Sequence, residues 1–182
     1  PTVSLGRNQA LDRELRLDYC SHHNIEIVRR PTSGGALYLD SAQLCFSLLI
    51  WQPAKWHELA LTQLLELGGS AVVASLESLD IPGTFRYPND VEVGDRKIAS
   101  VHATRLGDTL LVHGNVLLNA DIEIMLKALR VPSEKLSVDG LTAARQRLIT
   151  VNELRPELPQ TSDIKTALMN GIAAAFGLEL HH

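Results

Sequence analysis

The chain has 182 residues, 45% of them hydrophobic, with 17 Lys and Arg against 21 Asp and Glu and a formal charge of -4. That is enough apolar material to bury one core, while the acidic balance excludes the cationic surface that DNA or RNA binding requires. No run approaches the roughly 20 apolar residues that cross a bilayer, and the N-terminus lacks the layout of a signal peptide, so neither nucleic acid nor membrane is an expected partner and a cytoplasmic location is expected.

In chain order, Thr2 to Gly6 reads as a short strand, and Leu11, Leu15 and Tyr19 give Leu11 to His22 the spacing of a helix. Ile25 to Val28 is apolar and β-branched, and Arg29-Arg30-Pro31-Thr32-Ser33-Gly34-Gly35 breaks regular structure before extended chain resumes at Ala36 to Tyr38. Leu44 to Ile50 reads as a buried strand. Trp56 to Leu79 has the length and leucine spacing of a helix, with a bend expected at Gly68-Gly69. From Phe85 to Leu118 apolar residues alternate between turns at Pro88-Asn89, Gly94-Asp95 and Gly107-Asp108, the pattern of meandering hairpins. Asp121 is a good N-cap for a helix through Leu129, and another helix runs from Thr161 to near Gly177. Strands gathered into hairpins, with helices packed upon them, predict an α+β fold built on a mostly antiparallel sheet. Cys20 and Cys45 are too few for a disulfide framework or a zinc site and read as buried structural thiols. The final His181-His182 pair is read as a tag remnant.

Three segments hold residues suited to chemistry. In the first, Gly34 and Gly35 after a strand let backbone approach a ligand, Ser33 and its neighbouring amides can donate to phosphate or carboxylate oxygens, and Arg30 offers a cationic fork to the same anion. The same residues also fit an ordinary hairpin loop. In the second, a hairpin tipped by Gly94-Asp95 brings Asn89 and Asp90 near Lys97, so that a lysine can hold a carboxylate and a phosphate while Asp90 suits Mg²⁺. A solvated surface hairpin fits that spacing equally well. The third is His113-Gly114-Asn115 within the apolar run Leu110 to Leu118, where the histidine faces either a pocket or the core.

Taken together, Ser4-Leu5-Gly6-Arg7-Asn8-Gln9, Arg29 to Asp40, Asn89-Asp90 with Asp95-Arg96-Lys97-Ile98, and His113-Gly114 with Leu117-Leu118-Asn119 resemble the lipoate-protein ligase A family of the biotin and lipoate ligase superfamily. The likeness extends to Lys135 to Arg147, which is similar to the segment closing that family's large domain. It implies a class II synthetase-like catalytic domain that activates lipoate or octanoate with Mg-ATP as an acyl-adenylate. The acyl group then passes to a lysine of a lipoyl domain or of a glycine-cleavage H-type carrier protein. By motif position the resemblance makes Lys97 the catalytic residue. It places Arg30, Ser33, Gly34, Gly35, Ala36, Asn89, Asp90 and His113 around the acyl-adenylate, with Asp90 at the Mg²⁺.

Against the family pattern, Ser33 stands where the first of three glycines is usual and Leu39 where a histidine is usual. Lys97-Ile98 continues as Ala99-Ser100-Val101-His102-Ala103 in place of small residues around a glycine. A bulkier Val101 or His102 is therefore expected to reshape the pocket. Residues 1–180 are expected to form one domain that begins after the family's first strand and helix and carries no accessory domain. Two other functions are compatible with the departures. One is an octanoyl or lipoyl transferase working without ATP, for which Cys20 and Cys45 are the candidate nucleophiles. The other is an inactive module that binds a ligand or carrier.

Overall fold

In the computed structural model, residues 1–51, 58–130, 138–155, 157 and 160–180 are described. The expected start of a helix at Trp56, Lys135 and the terminal histidines lie outside them. Five antiparallel strands form the larger sheet: β4 (Gln43–Trp51), β5 (Thr84–Arg86), β6 (Asp90–Val93), β7 (Arg96–Leu106) and β8 (Thr109–Leu117), in the order β4-β8-β7-β6-β5. Gly94 (φ 53°) and Asp95 (φ 61°) turn the β6–β7 hairpin where the glycine-aspartate pair foretold it. A smaller sheet has the order β2-β1-β3, with β1 (Thr2–Leu5) parallel to β2 (Glu26–Arg29) and antiparallel to β3 (Leu37–Leu39). The glycine segment is therefore not a hairpin turn. It crosses from β2 to β3 with β1 lying between them.

Alternation along the strands sorts two cores onto opposite faces of the larger sheet. On one face α3 (Leu61–Glu77) and α7 (Thr161–Phe176) pack Leu64, Val72, Leu76, Ile164, Leu168 and Phe176 against Val101, Val112 and Val116. On the other, Leu117 joins Val3, Leu15, Ile25 and Tyr38 from the smaller sheet's side. Also there are Cys20 of α2 (Leu17–His22) and Met125 of α4 (Ile122–Ala128), the latter helix capped by the Asp121 carboxylate accepting from Ile124 N at 3.0 Å.

Several expectations are corrected. Leu11 to His22 is not one helix but α1 (Leu11–Glu14) and α2, because fully buried Leu15 is extended and its backbone pairs with Leu129. Gly68-Gly69 does not interrupt α3, which runs unbroken from Leu61 to Glu77. A Cβ at Gly68 would lie 2.6 Å from Val101 Cγ1 and one at Gly69 2.0 Å from the Phe85 ring, so the glycines let the helix settle onto the sheet. Finally, β4 is an edge strand with one face open, exposing Cys45, Ser47, Leu49 and Trp51. Cys20 is buried as expected, and Cys45 is not. The chain between β8 and α7 forms α4, α5 (Val138–Gln146) and the short α6 (Val151–Leu154).

Candidate active site

Lys97 enters the site beside an irregularity in the β6–β7 ladder, where Asp90 pairs with Ser100 but Glu92 pairs with Lys97. A bulge of this kind re-aims a side chain without ending the sheet. The Lys97 main chain is held from the other side as well, its N–H donating to Arg147 O (2.8 Å) and its carbonyl accepting from Ile149 N (3.0 Å). Its ammonium sits 2.6 Å from Asp90 Oδ1, with both side chains about one-third exposed. The adjacent Asn89 accepts from Val101 N through its carbonyl. The turn before it contains a cis Tyr87-Pro88 bond.

Lys97 also lines a cavity of about 190 Å³ between the two sheets. Ala36, Leu37 and Tyr38 form one wall, Met125, Leu126 and Leu129 another, and Ser100, Asn115 and Leu117 rise from the larger sheet. This lining is apolar apart from a chain of hydrogen bonds in which Ser100 Oγ donates to Asn115 Oδ1 (2.6 Å), Asn115 Nδ2 to Gln43 Oε1 (2.8 Å) and Gln43 Nε2 to Tyr38 O (2.9 Å). Polar atoms taken from water in this way are satisfied internally. A largely apolar slot with a lysine in its lining is suited to an acid with a hydrocarbon body.

The glycine segment lies beside this slot, and Arg30 organises it. Only 6% exposed, its guanidinium donates through Nη1 to Ser4 O, through Nη2 to Ser33 O (3.0 Å) and Gly35 O (2.7 Å), and through Nε to Thr32 Oγ1 (3.0 Å). Its fork is directed at its own loop's carbonyls. Gly34 adopts φ 100°, a conformation open to glycine but strained for other residues, and a Cβ on Gly6 would fall within 1.8 Å of the Gly34 carbonyl oxygen. Backbone thus meets backbone where the loop folds over β1.

Beneath Gly34 lie two cross-strand histidines, His102 and His113, stacked with ring centroids 5.3 Å apart. Arg30 Nε can only donate, so Thr32 Oγ1 accepts from it, and the same hydroxyl shares a 2.7 Å hydrogen bond with His113 Nε2. Burial first, and then the Arg30 charge, pulls His113 down to about 4. Burial also dominates at His102, reinforced by Arg30, His113 and Lys97 against a hydrogen bond with the Ser33 backbone, and takes it down to about 3. His102 Nε2 is buried without a hydrogen-bond partner among the described residues.

Of the residues singled out from the sequence, Lys97 and Ala36 line the cavity, Asp90 grips Lys97, and Asn89 stands next to it. Arg30, Ser33, Gly34, Gly35 and His113 form the neighbouring cluster. Val101 does not narrow the slot. It is fully buried against Gly68 on the opposite face, and Ser100, at the usual glycine's place, borders the cavity instead. Sequence reasoning passed over Thr32, Glu14 and the Ser100-Asn115-Gln43 chain. Thr32 lies inside the quoted motif, whereas nothing local marks Glu14, whose carboxylate accepts from Ala36 N at 2.9 Å.

The small sheet beside a five-stranded antiparallel sheet with its helices is a fold shared with solved lipoate and biotin ligase structures. A family model described as the lipoyl protein ligase A/B catalytic domain matches residues 1–173, and the chain belongs to that family. It is 31% identical over 155 residues to a probable lipoate-protein ligase A of Mycoplasma genitalium, covering 85% of this chain and 45% of the relative, so that it spans less than half of that protein. Among solved structures, a bi-partite lipoate protein ligase from an archaeal lipoylation system of Thermoplasma acidophilum, described with its E2 lipoyl domain, superimposes over 100% of this chain and 69% of its own. The TM-score is 0.88 at 25% identity. A lipoate-protein ligase A bound with ATP shares the fold with a TM-score of 0.82 at 24% identity, over 100% of this chain and 71% of that one.

Proposed function

We propose that this chain carries the catalytic site of an ATP-dependent lipoate-protein ligase, which joins lipoate, or a related acid such as octanoate, to a lysine of a carrier domain. The observation that carries the proposal is the Lys97 ammonium lining an apolar slot while still in reach of a carboxylate. The hydrocarbon body enters the slot and the acid group meets Lys97. A carboxylate oxygen attacks the α-phosphorus of ATP, pyrophosphate departs, and an acyl-adenylate forms. The neutral amine of a carrier lysine then attacks the acyl carbon. AMP leaves with the bonding pair, a proton passes to solvent, and an amide remains. A cation placed before the reaction stabilises the charge that develops on these oxygens, and this is the role proposed for Lys97. The loop from Ser33 to Ala36 borders the acyl and phosphate groups, held in shape by Arg30. Asn89 faces the nucleotide, and His113 supports the wall.

Among the described residues no cluster of three or more His, Cys, Asp or Glu is able to hold a metal. Mg²⁺ bound chiefly to phosphates needs only one or two carboxylates from the protein, so Asp90 fits an ion arriving with ATP. The ligase names borne by the relatives and the ATP-bound neighbour support ATP-dependent activation. On the likeness to the Thermoplasma system, the proposed acceptor is a lipoyl domain, with an H-type carrier as a second candidate. The thiol route of an ATP-independent transferase finds little support: burial pushes the Cys20 thiol up, and the surrounding protein, followed by Asp40, holds the Cys45 thiol above its usual value.

The test combines the protein with Mg²⁺, lipoate or octanoate and an apo lipoyl domain or H-type carrier, with and without ATP, and reads the acceptor by intact mass. Lys97→Ala is the control, and preformed lipoyl-adenylate supplied without ATP tests the second half-reaction. An ATP-dependent mass shift that the variant loses is expected. No shift in any arm, on folded protein, overturns the proposal.

A further inference from the structure

The break between α1 and α2 joins two walls of the slot. Glu14, the last residue of α1, reaches into the glycine segment with Oε2 and accepts from Ala36 N at 2.9 Å, while its own carbonyl accepts from Arg130 N at 2.7 Å. Arg130 Nε returns a bond to Leu15 O at 3.0 Å, and Arg16 donates from its main chain to Ala128 O (3.0 Å) and from Nη1 to Leu126 O (2.7 Å) and Leu129 O (2.6 Å). One end of this three-residue strut therefore caps the end of α4, whose Met125 and Leu126, followed by Leu129, face the slot. The other end holds Ala36 of the facing wall. On that wall Arg30 takes the Gly35 carbonyl while Glu14 takes the next amide, so opposite charges clamp the two sides of one peptide unit. A charge-assisted bond to a backbone amide is among the stronger contacts available to a loop.

We infer that Glu14 is a positioning residue that sets the separation of the Ala36 wall from the α4 wall, and with it the selectivity for acyl-chain length. This rests on the ligase reading above for the identity of the occupant. Glu14 acts on the ligand through the Ala36 peptide. With the carboxylate removed, the Ala36 amide loses its acceptor and the wall is no longer held at a fixed distance. A chain of fitting length then loses its advantage over shorter and longer ones. Gln at this position keeps an oxygen acceptor for Ala36 N and is the conservative control.

The test measures KM and kcat for hexanoate, octanoate, lipoate and decanoate with wild type, Glu14→Ala and Glu14→Gln, together with hydrogen exchange of the amides of residues 33–37. For Glu14→Ala the expected result is an increase of about tenfold in KM for the best acid, from loss of a hydrogen bond to a charged group. KM for ATP should be unchanged, the length preference flattened and loop exchange faster, with Glu14→Gln close to wild type on every measure. Unchanged length preference with unchanged loop exchange, or equal defects in both variants, overturns the inference. If wild type transfers no acyl group at all, the ligase reading falls. Calorimetric binding of the same acids to the three proteins then decides the Glu14 inference, which fails if the spread of affinities across chain lengths is as wide in Glu14→Ala as in wild type.

Discussion

Lowering the pH should weaken this fold through two imidazoles. His102 and His113 stack beneath the glycine loop, beside Arg30 and within the field of Lys97, and are held neutral down to about 3 and about 4. In the unfolded chain an imidazole titrates near 6.5. Because both values are depressed on folding, the neutral pair contributes fully above pH 6.5, and that contribution is lost as the pH falls from 6.5 toward 4 and 3. Each group has a limiting slope of about 1.4 kcal/mol per pH unit, which makes the loss between pH 7 and 5 on the order of 4 kcal/mol for the pair. That is a large share of a typical stability of about 5–15 kcal/mol. Urea unfolding at pH 7 and pH 5 of wild type and the His102→Gln/His113→Gln double variant isolates this part, since the carboxylates are common to both. Wild type should lose about 4 kcal/mol more than the variant. Equal losses, or imidazole proton resonances of the folded protein titrating near 6.5, would refute the placement of both rings in a buried, cationic setting.

Three substitutions probe the surroundings of the slot. Val101→Ala should cost about 2 kcal/mol of stability, measured by urea unfolding, by deleting buried methyls against Gly68. KM for the acyl acid should stay within about twofold, because the side chain faces away from the cavity. Gly114→Ala places a Cβ 2.3 Å from the Ser100 carbonyl and 2.7 Å from the Phe46 ring, so soluble expression should fall and the melting temperature drop by several degrees. Thr32→Val removes the relay between Arg30 and His113, leaving both with an unmet bond. A loss of about 1–3 kcal/mol in urea unfolding is expected, together with a shifted His113 imidazole resonance.

Much of the scaffold could be read from local pattern. The Gly94-Asp95 turn, the Asp121 cap and the left-handed Gly177 ending α7 are short-range devices, and each occurs where the residues call for it. Leu11 to His22 misled because helical spacing describes a segment's own preference. Here the buried Leu15 and its backbone pairing to Leu129, over a hundred residues away, outweigh that preference. The glycine segment misled in a similar way. A strand, a break and another strand imply a hairpin locally, and only the insertion of β1 between β2 and β3 rules it out.

For the site, the sequence by itself determined which residue types were available: a lysine after a tight turn, an Asn-Asp pair before it, and a glycine loop behind two arginines. Their nearness followed in part from the hairpin, since Asp90 and Lys97 sit on adjacent strands of a two-residue turn. Tertiary structure alone decided where each side chain was directed. It turned the Arg30 fork onto Ser4, Ser33 and Gly35 carbonyls, sent Val101 to the α3 face, left Ser100 at the cavity and brought Glu14 to the Ala36 amide. Strand alternation makes a one-residue difference into opposite faces of a sheet, and a hydrogen bond between distant segments has no local signature, so these assignments depended on how the two sheets meet.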